Sequence, residues 1–236
     1  LGAAIGPALA LVYLWLHPGD YITLFYIAFI PGILAVVATQ LLKEKRVVKN
    51  TGRQQVSTFV FFRYWRESSS DYRKLVRGLI LFALFNSSDV FLLLKAKQAG
   101  LDDTRVIGIY IFYNLVYALL AFPVGIVADR LGLKQTFIGG LVLFAIVYSG
   151  MAYVSSSAGV AVLFFIYGVY AAATEGISKA WISKVVEKEQ LGTAIGSYAG
   201  MQSIAALLAS SVAGVVWYAF GAEATFLLSA VMAVVV

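Results

Sequence analysis

The sequence predicts an all-α, polytopic transmembrane helix bundle. Three observations carry that expectation: long apolar runs of spanning length, no strict alternation of apolar and polar residues, and basic residues crowded into a few connections. Of 236 residues, 61% are hydrophobic and 13% charged, with a mean hydropathy of +0.87, against about 45–50% apolar and 25% charged in soluble domains. A helix that spans a bilayer needs about 20 mostly apolar residues at 1.5 Å each. Eight segments approach that length: 2–16, 22–42, 78–94, 106–128, 136–154, 159–182, 194–220 and 223–236. A transmembrane barrel would need residues that alternate along each strand, and they do not.

Composition also excludes chemistry. There is no cysteine and one histidine, His17, so disulfide frameworks, thiolate nucleophiles and histidine clusters are ruled out. No metal site or cofactor is expected. The net charge of +6 does not point to nucleic acid, because ten of the eighteen Lys and Arg residues fall within 43–77, beside apolar spans. Loops retained in the cytoplasm keep such residues. If the chain alternates across the membrane, Arg130, Lys134, Lys184 and Lys188 fall on that same side. The connection 95–105, with Asp102 and Asp103, is then external.

Taken in order, the first segment carries Gly2 and Gly6 four apart before Pro7, a pattern for close helix contact with a kink. The second has Pro31-Gly32 near its middle and continues apolar to Leu42, so the proline marks a kink and not an end. The stretch 59–76 interleaves aromatics with arginines, and part of it reads as an interfacial helix, with Asp71 expected to cap the helix that leads into the third span. The third segment contains Asn86, Ser87, Ser88 and Asp89 about midway. A carboxylate at that depth costs several kcal/mol unless it faces protein or a wet cavity, which makes it a functional candidate. A helix break capped by those same polar residues is the structural alternative.

In the fourth segment Tyr110, Tyr113, Asn114 and Tyr117 share one broad face and could line a polar cavity or simply pack. A short charged turn follows, with Gly125, Asp129, Arg130, Gly132 and Lys134. In the sixth segment Glu175 and Lys179 stand four apart, acid first, the order that favours pairing on one helix face. Then Gly192, Gly196 and Gly200 recur every four residues, a small-residue face suited to tight packing.

The turn resembles the loop signature of the major facilitator superfamily, Gly-x-x-x-Asp-Arg/Lys-x-Gly-Arg/Lys-Arg/Lys, with Leu133 where a basic residue is usual. The Thr174-Glu-Gly-x-x-Lys179 helix end and the Gly-Thr-Ala-x-Gly196 start of the next span occur in the order seen in prokaryotic members. Gln190-Leu191 departs from the acidic residue and Arg that often precede Gly-Thr. The resemblance implies a fragment matching helices five to twelve of twelve. Residues 1–42 would end the N-terminal six-helix half, 43–77 would be the cytoplasmic linker, and 78–236 the C-terminal half.

What the resemblance implies in function is a secondary transporter of a small solute. It would work by alternating access within the lipid bilayer of a cell membrane, a bacterial inner membrane by analogy, with the proton as the candidate coupling ion. Asp89, Asn86, Ser87, Tyr113, Asn114, Tyr117 and Glu175 are then the candidate substrate or coupling residues. Gly125, Asp129, Arg130, Gly132, Lys134 and Lys179 are the candidate conformational latch, with Asp129 expected to dock at the start of the 194–220 helix. The rival classes are a non-transporting receptor or scaffold on the same fold and, below it, an intramembrane enzyme, for which no catalytic motif is present.

Overall fold

In the computed structural model of the chain, residues 2–17, 19–41 and 60–236 are described. The basic stretch 43–59 lies outside them. Nine α-helices are formed among the described residues: α1 (Gly2–Leu16), α2 (Tyr21–Leu41), α3 (Val60–Glu67), α4 (Ser70–Ala83), α5 (Val90–Gln98), α6 (Asp103–Leu131), α7 (Leu133–Tyr153), α8 (Ser157–Val185) and α9 (Leu191–Val235). Five of these are long and apolar enough to cross a membrane: α2, α6, α7, α8 and α9.

The eight expected segments reconcile with these helices in three ways. Segment 2–16 is α1, only 15 residues long. Segments 194–220 and 223–236 run together as α9, broken in direction at Gly221, whose φ of 86° leaves the helical region. Only glycine adopts that φ without strain. The third segment is not one helix: α4 ends at Ala83 and α5 begins at Val90, with residues 84–89 between them non-helical.

Packing centres on α7 and α8. Each is apolar nearly all round, as expected of helices surrounded by other helices and lipid. Phe144, Val147, Tyr148 and Met151 of α7 and Val160 and Phe164 of α8 are all but inaccessible. Their rings interlock, with Phe144 stacked on Tyr148 at 3.9 Å and set against Tyr170 at 5.1 Å. Helix α6 packs on α8, α9 on α7, and α1 on α6, whereas α2 has no buried residue. Asp20, before α2, accepts from the Thr23 amide and the Tyr13 hydroxyl; hydrogen bonding from Thr23 holds its carboxyl below the usual range.

The close helix approaches occur at glycines other than the expected ones. A Cβ at Gly6, Gly192 or Gly200 would meet nothing within 4 Å. At Gly140 of α7 it would meet Thr174 Cγ2 at 2.6 Å, and at Gly168 of α8 it would meet Val116 Cβ at 2.8 Å and the Tyr113 carbonyl oxygen at 2.9 Å. Gly6, Gly192 and Gly200 are exposed. The single glycines opposite bulky neighbours are what let α8 approach α6 and α7.

Two local expectations are corrected. The cap of α4 is Ser69, whose extended backbone lets its side chain accept from the Tyr72 amide, while Asp71 sits in the first turn. There it still complements the helix dipole. Glu175 and Lys179 close no ion pair, since those found among the described residues are Arg63–Glu67, Lys97–Asp103 and Arg105–Asp102. Helix α3 has two faces: Tyr64 and Trp65 pack edge-on against Tyr72, with Arg63 and Glu67 exposed. Arg77 lies 5.9 Å from the Trp65 ring centroid.

Candidate functional site

The polar run of the third segment is the break between α4 and α5. A break frees backbone groups that must find partners inside a membrane, and serines supply them: the Ser88 amide donates to Ser210 Oγ of α9 at 3.2 Å, and the Val90 amide to Ser88 Oγ at 3.4 Å. Asp89 stands at the start of α5 but does not cap it. Its carboxylate turns instead to two phenols. Tyr113 of α6 donates to Oδ2 at 2.5 Å and Tyr167 of α8 donates to Oδ1 at 2.6 Å.

This clamp depends on the α6–α8 approach. Gly168 follows Tyr167 directly, and its missing side chain admits the Tyr113 carbonyl, bringing the two rings to 5.3 Å between centroids. Tyr167 lies ten residues past Ser157, the start of α8, a rise of about 15 Å. Glu175 lies ten residues before Val185, the end of the same helix. Glu175, and the Tyr167 phenol that Asp89 accepts from, thus sit near the middle of a helix long enough to span about 30 Å of hydrocarbon.

Around the clamp, polar atoms are left over. Asn86 Nδ2 donates to the Tyr170 hydroxyl at 3.1 Å, while Asn86 Oδ1, Ser87 Oγ and the Tyr148 hydroxyl are buried without a hydrogen-bond partner among the described residues. The Tyr148 hydroxyl neighbours Ser87 and Tyr167 outside hydrogen-bond geometry. An orphaned buried group costs about 1–3 kcal/mol, and a cluster of three marks a place where water or solute has polar partners waiting.

The other candidates divide. Asn114 is buried and spends its amide on the Tyr110 carbonyl of its own helix at 2.9 Å, so it is drawn away from Asp89. Tyr117 is half-buried and close enough to Glu175 to feel its charge. Glu175 is exposed, accepts no hydrogen bond among the described residues, and lines a cavity of about 50 Å³ with Asn86, Thr174, Ser178, Tyr198 and Gln202.

In the turn, α6 runs on through Asp129 and Arg130, and Gly132, with φ 101°, is the whole connection to α7. Leu133 is buried in the core, which explains an apolar residue at a position where the signature has a base. Asp129 is exposed and carries no hydrogen bond or ion pair among the described residues. The start of α9, where it was expected to dock, is held by the Tyr72 hydroxyl, which donates to the Ala194 carbonyl at 2.9 Å. Gly125 is open, and a Cβ placed there would meet nothing within 4 Å. Lys134 lines a different cleft, of about 390 Å³, with Asp71, Lys74 and Trp181, and Lys179 is exposed on α8.

Tyr167, Tyr170, Tyr148, Tyr198 and Gln202 are site residues that sequence pattern alone does not single out. Tyr167, Tyr170, Thr174 and Ser178 fall at spacings of three, four and four, a polar stripe along one face of an otherwise apolar helix. That stripe is the signal by which they could have been found.

Five helices of spanning length, with a broken helix and an acid held by two phenols packed among them, define a multi-pass helical membrane protein. The sequence profile of the Major Facilitator Superfamily matches residues 80–236, and the chain belongs to that superfamily. It is 29% identical to an uncharacterized MFS-type transporter, MJ1317, of Methanocaldococcus jannaschii over 99% of its own length and 58% of that protein's. It is also 31% identical to the MFS-type transporter ppzB of Metarhizium majus, over 47% of this chain and 24% of that one. The chain thus spans little more than half the length of the first relative.

Proposed function

We propose that the chain forms part of a secondary transporter that moves a small solute by alternating access, with Asp89 as the proton-coupling residue. The observation that carries this reading is the double phenol clamp on Asp89 at a helix break. An ionised carboxylate accepts both phenol protons; a protonated one becomes a donor at one oxygen, so one of the two contacts must be remade. Because the contacts come from α6 and α8 and the acid from the head of α5, taking up or losing a proton changes how three helices are tied. That gives a proton differential interaction energy between two arrangements, which any coupling requires.

The α1–α6 contact supports a seam between two helical bodies that can rock. Asp129, exposed at the turn, serves as the latch in the opposite arrangement. Asp129→Asn is then expected to shift the balance between inward-open and outward-open forms, read as distances between spin labels on the two rims. An unchanged distance distribution removes it from that role.

The transport reading is tested by reconstituting the protein in its complete form into vesicles and imposing a pH difference of either sign across the membrane. A solute panel should include one that accumulates against its gradient, with accumulation abolished by a protonophore. Binding of solutes with no flux in either direction would favour the receptor reading instead.

A further inference from the structure

The cavity between α4, α8 and α9 has an unequal account of donors and acceptors. Asn86 spends an amide proton on Tyr170 at 3.1 Å. The Thr174 hydroxyl donates to the Tyr170 carbonyl at 2.9 Å and the Ser178 hydroxyl to the Glu175 carbonyl at 3.0 Å, both within their own helix. What these groups leave for an occupant is acceptors: Asn86 Oδ1, buried and without a partner among the described residues, the oxygen lone pairs of Thr174 and Ser178, and the Glu175 carboxylate. The donors on this wall are the Gln202 amide, the Tyr198 phenol, the second amide proton of Asn86 and the Tyr170 phenol, whose oxygen accepts from Asn86; all are neutral, and with no Lys, Arg or His in the lining the formal charge on the wall is the Glu175 carboxylate.

Charge points the same way. Glu175 carries no ion pair among the described residues, and Lys179, one turn along, does not close one with it. Rings of Phe82, Tyr170 and Tyr198 complete the wall, and aromatic faces attract cations. An anion in this space would meet a carboxylate and no base. A neutral solute would make no use of the one charged group on the wall, whereas a cation pairs with it. The volume of about 50 Å³ exceeds the roughly 30 Å³ share of one water in the liquid, enough for one ammonium-sized group.

We propose that this cavity is a subsite for the protonated amine head of an organic cation, with Glu175 as its counter-ion and Asn86 Oδ1 as its second acceptor. The proposal rests on the transporter reading and adds the class of solute to it. It divides the labour between the two acids: Asp89, satisfied by its phenols, takes the proton, and Glu175 takes the solute.

The test uses the purified protein in its complete form. A series of primary alkyl- and arylalkylamines of increasing length is compared with alcohols and carboxylates of matched carbon skeleton, by thermal shift and by direct titration. At least one amine should bind at least tenfold more tightly than its alcohol and carboxylate counterparts. Glu175→Gln should remove at least tenfold of that affinity while Glu175→Asp restores part of it, and the melting temperatures of the solute-free variants show whether both remain folded. Asn86→Leu is a second, independent probe and should weaken the amine by severalfold. Failure of every amine to bind, equal binding of alcohols or carboxylates, or full amine affinity in Glu175→Gln overturns the cationic subsite. The transporter reading fails separately: amines that bind through Glu175 but never cross a vesicle membrane would contradict transport and leave the subsite standing, whereas proton-driven flux of a neutral or anionic solute would do the reverse.

Discussion

Two acids at mid-depth of the same bundle are held in opposite ways. Asp89 is half-buried, each of its oxygens taking a short hydrogen bond from a phenol on a different helix. Glu175, eight residues beyond Tyr167 on α8, is exposed beside a cavity and has neither hydrogen bond nor ion pair among the described residues. Burial of a carboxylate costs several kcal/mol unless something replaces its water. At Asp89 the protein supplies the replacement itself. At Glu175 the replacement has to come from outside the described chain, as water, as another helix or as a solute. One acid is therefore tied to two neighbouring helices, and the other has no such tie among the described residues.

The comparison can be broken first at the clamp. Tyr113→Phe or Tyr167→Phe deletes one donor to a charged acceptor, worth about 1.5–3 kcal/mol, and the double variant should cost more than either alone but not their simple sum, because both phenols act on one carboxylate. Thermal unfolding in detergent at several pH values checks this. If the single variants melt with the wild type, the phenols are not what stabilises Asp89.

Next in size is the approach that builds the clamp. Gly168→Ala sets a methyl against the Tyr113 carbonyl at 2.9 Å, an obstacle of backbone, and overpacking of that kind costs about 1–3 kcal/mol. Gly140→Ala meets the end of the Thr174 side chain instead, which can rotate, and should cost less. Melting temperatures that fall in the reverse order would mean that α8 is set against α6 by something other than Gly168.

The smallest effect is expected at the second acid. Glu175→Gln should change solute-free stability by no more than about 0.5 kcal/mol, as for other substitutions without a native partner. A loss of several kcal/mol in the same melting assay would mean that Glu175 is part of the folded framework, and the contrast with Asp89 would collapse.

Much of this architecture is legible in the amino-acid sequence, because hydropathy is summed over some twenty residues and survives local errors. The helical class, the long apolar spans and the polar run at Asn86–Asp89 follow from such patterns, whereas the break at 84–89, the merging of the last two segments into α9 and the contraction of the charged turn to Gly132 do not. What is not legible depends on how one helix is rotated against another. Nothing in the sequence says that Tyr113 reaches Asp89 while its neighbour Asn114 turns to its own backbone, or that Tyr167 arrives from 78 residues away. The glycines repeated from 192 to 200 look like the packing face, yet Gly192 and Gly200 are open and the close approaches fall at Gly140 and Gly168, whose role is visible only once the opposing side chains are known. The cap at Ser69 escapes the sequence for a smaller reason: Ser69 and Asp71 are both good caps, and the extended backbone at Ser69 decides between them.

Whether Asp89 carries the proton and not the solute is reached directly by one comparison. Asp89→Asn keeps the size of the side chain and removes its titration. In vesicles containing the complete protein, at matched expression and melting temperature, it should retain exchange of labelled for unlabelled solute while losing at least tenfold of the accumulation driven by an imposed pH difference. Accumulation equal to that of the wild type would contradict a proton-carrying role for Asp89.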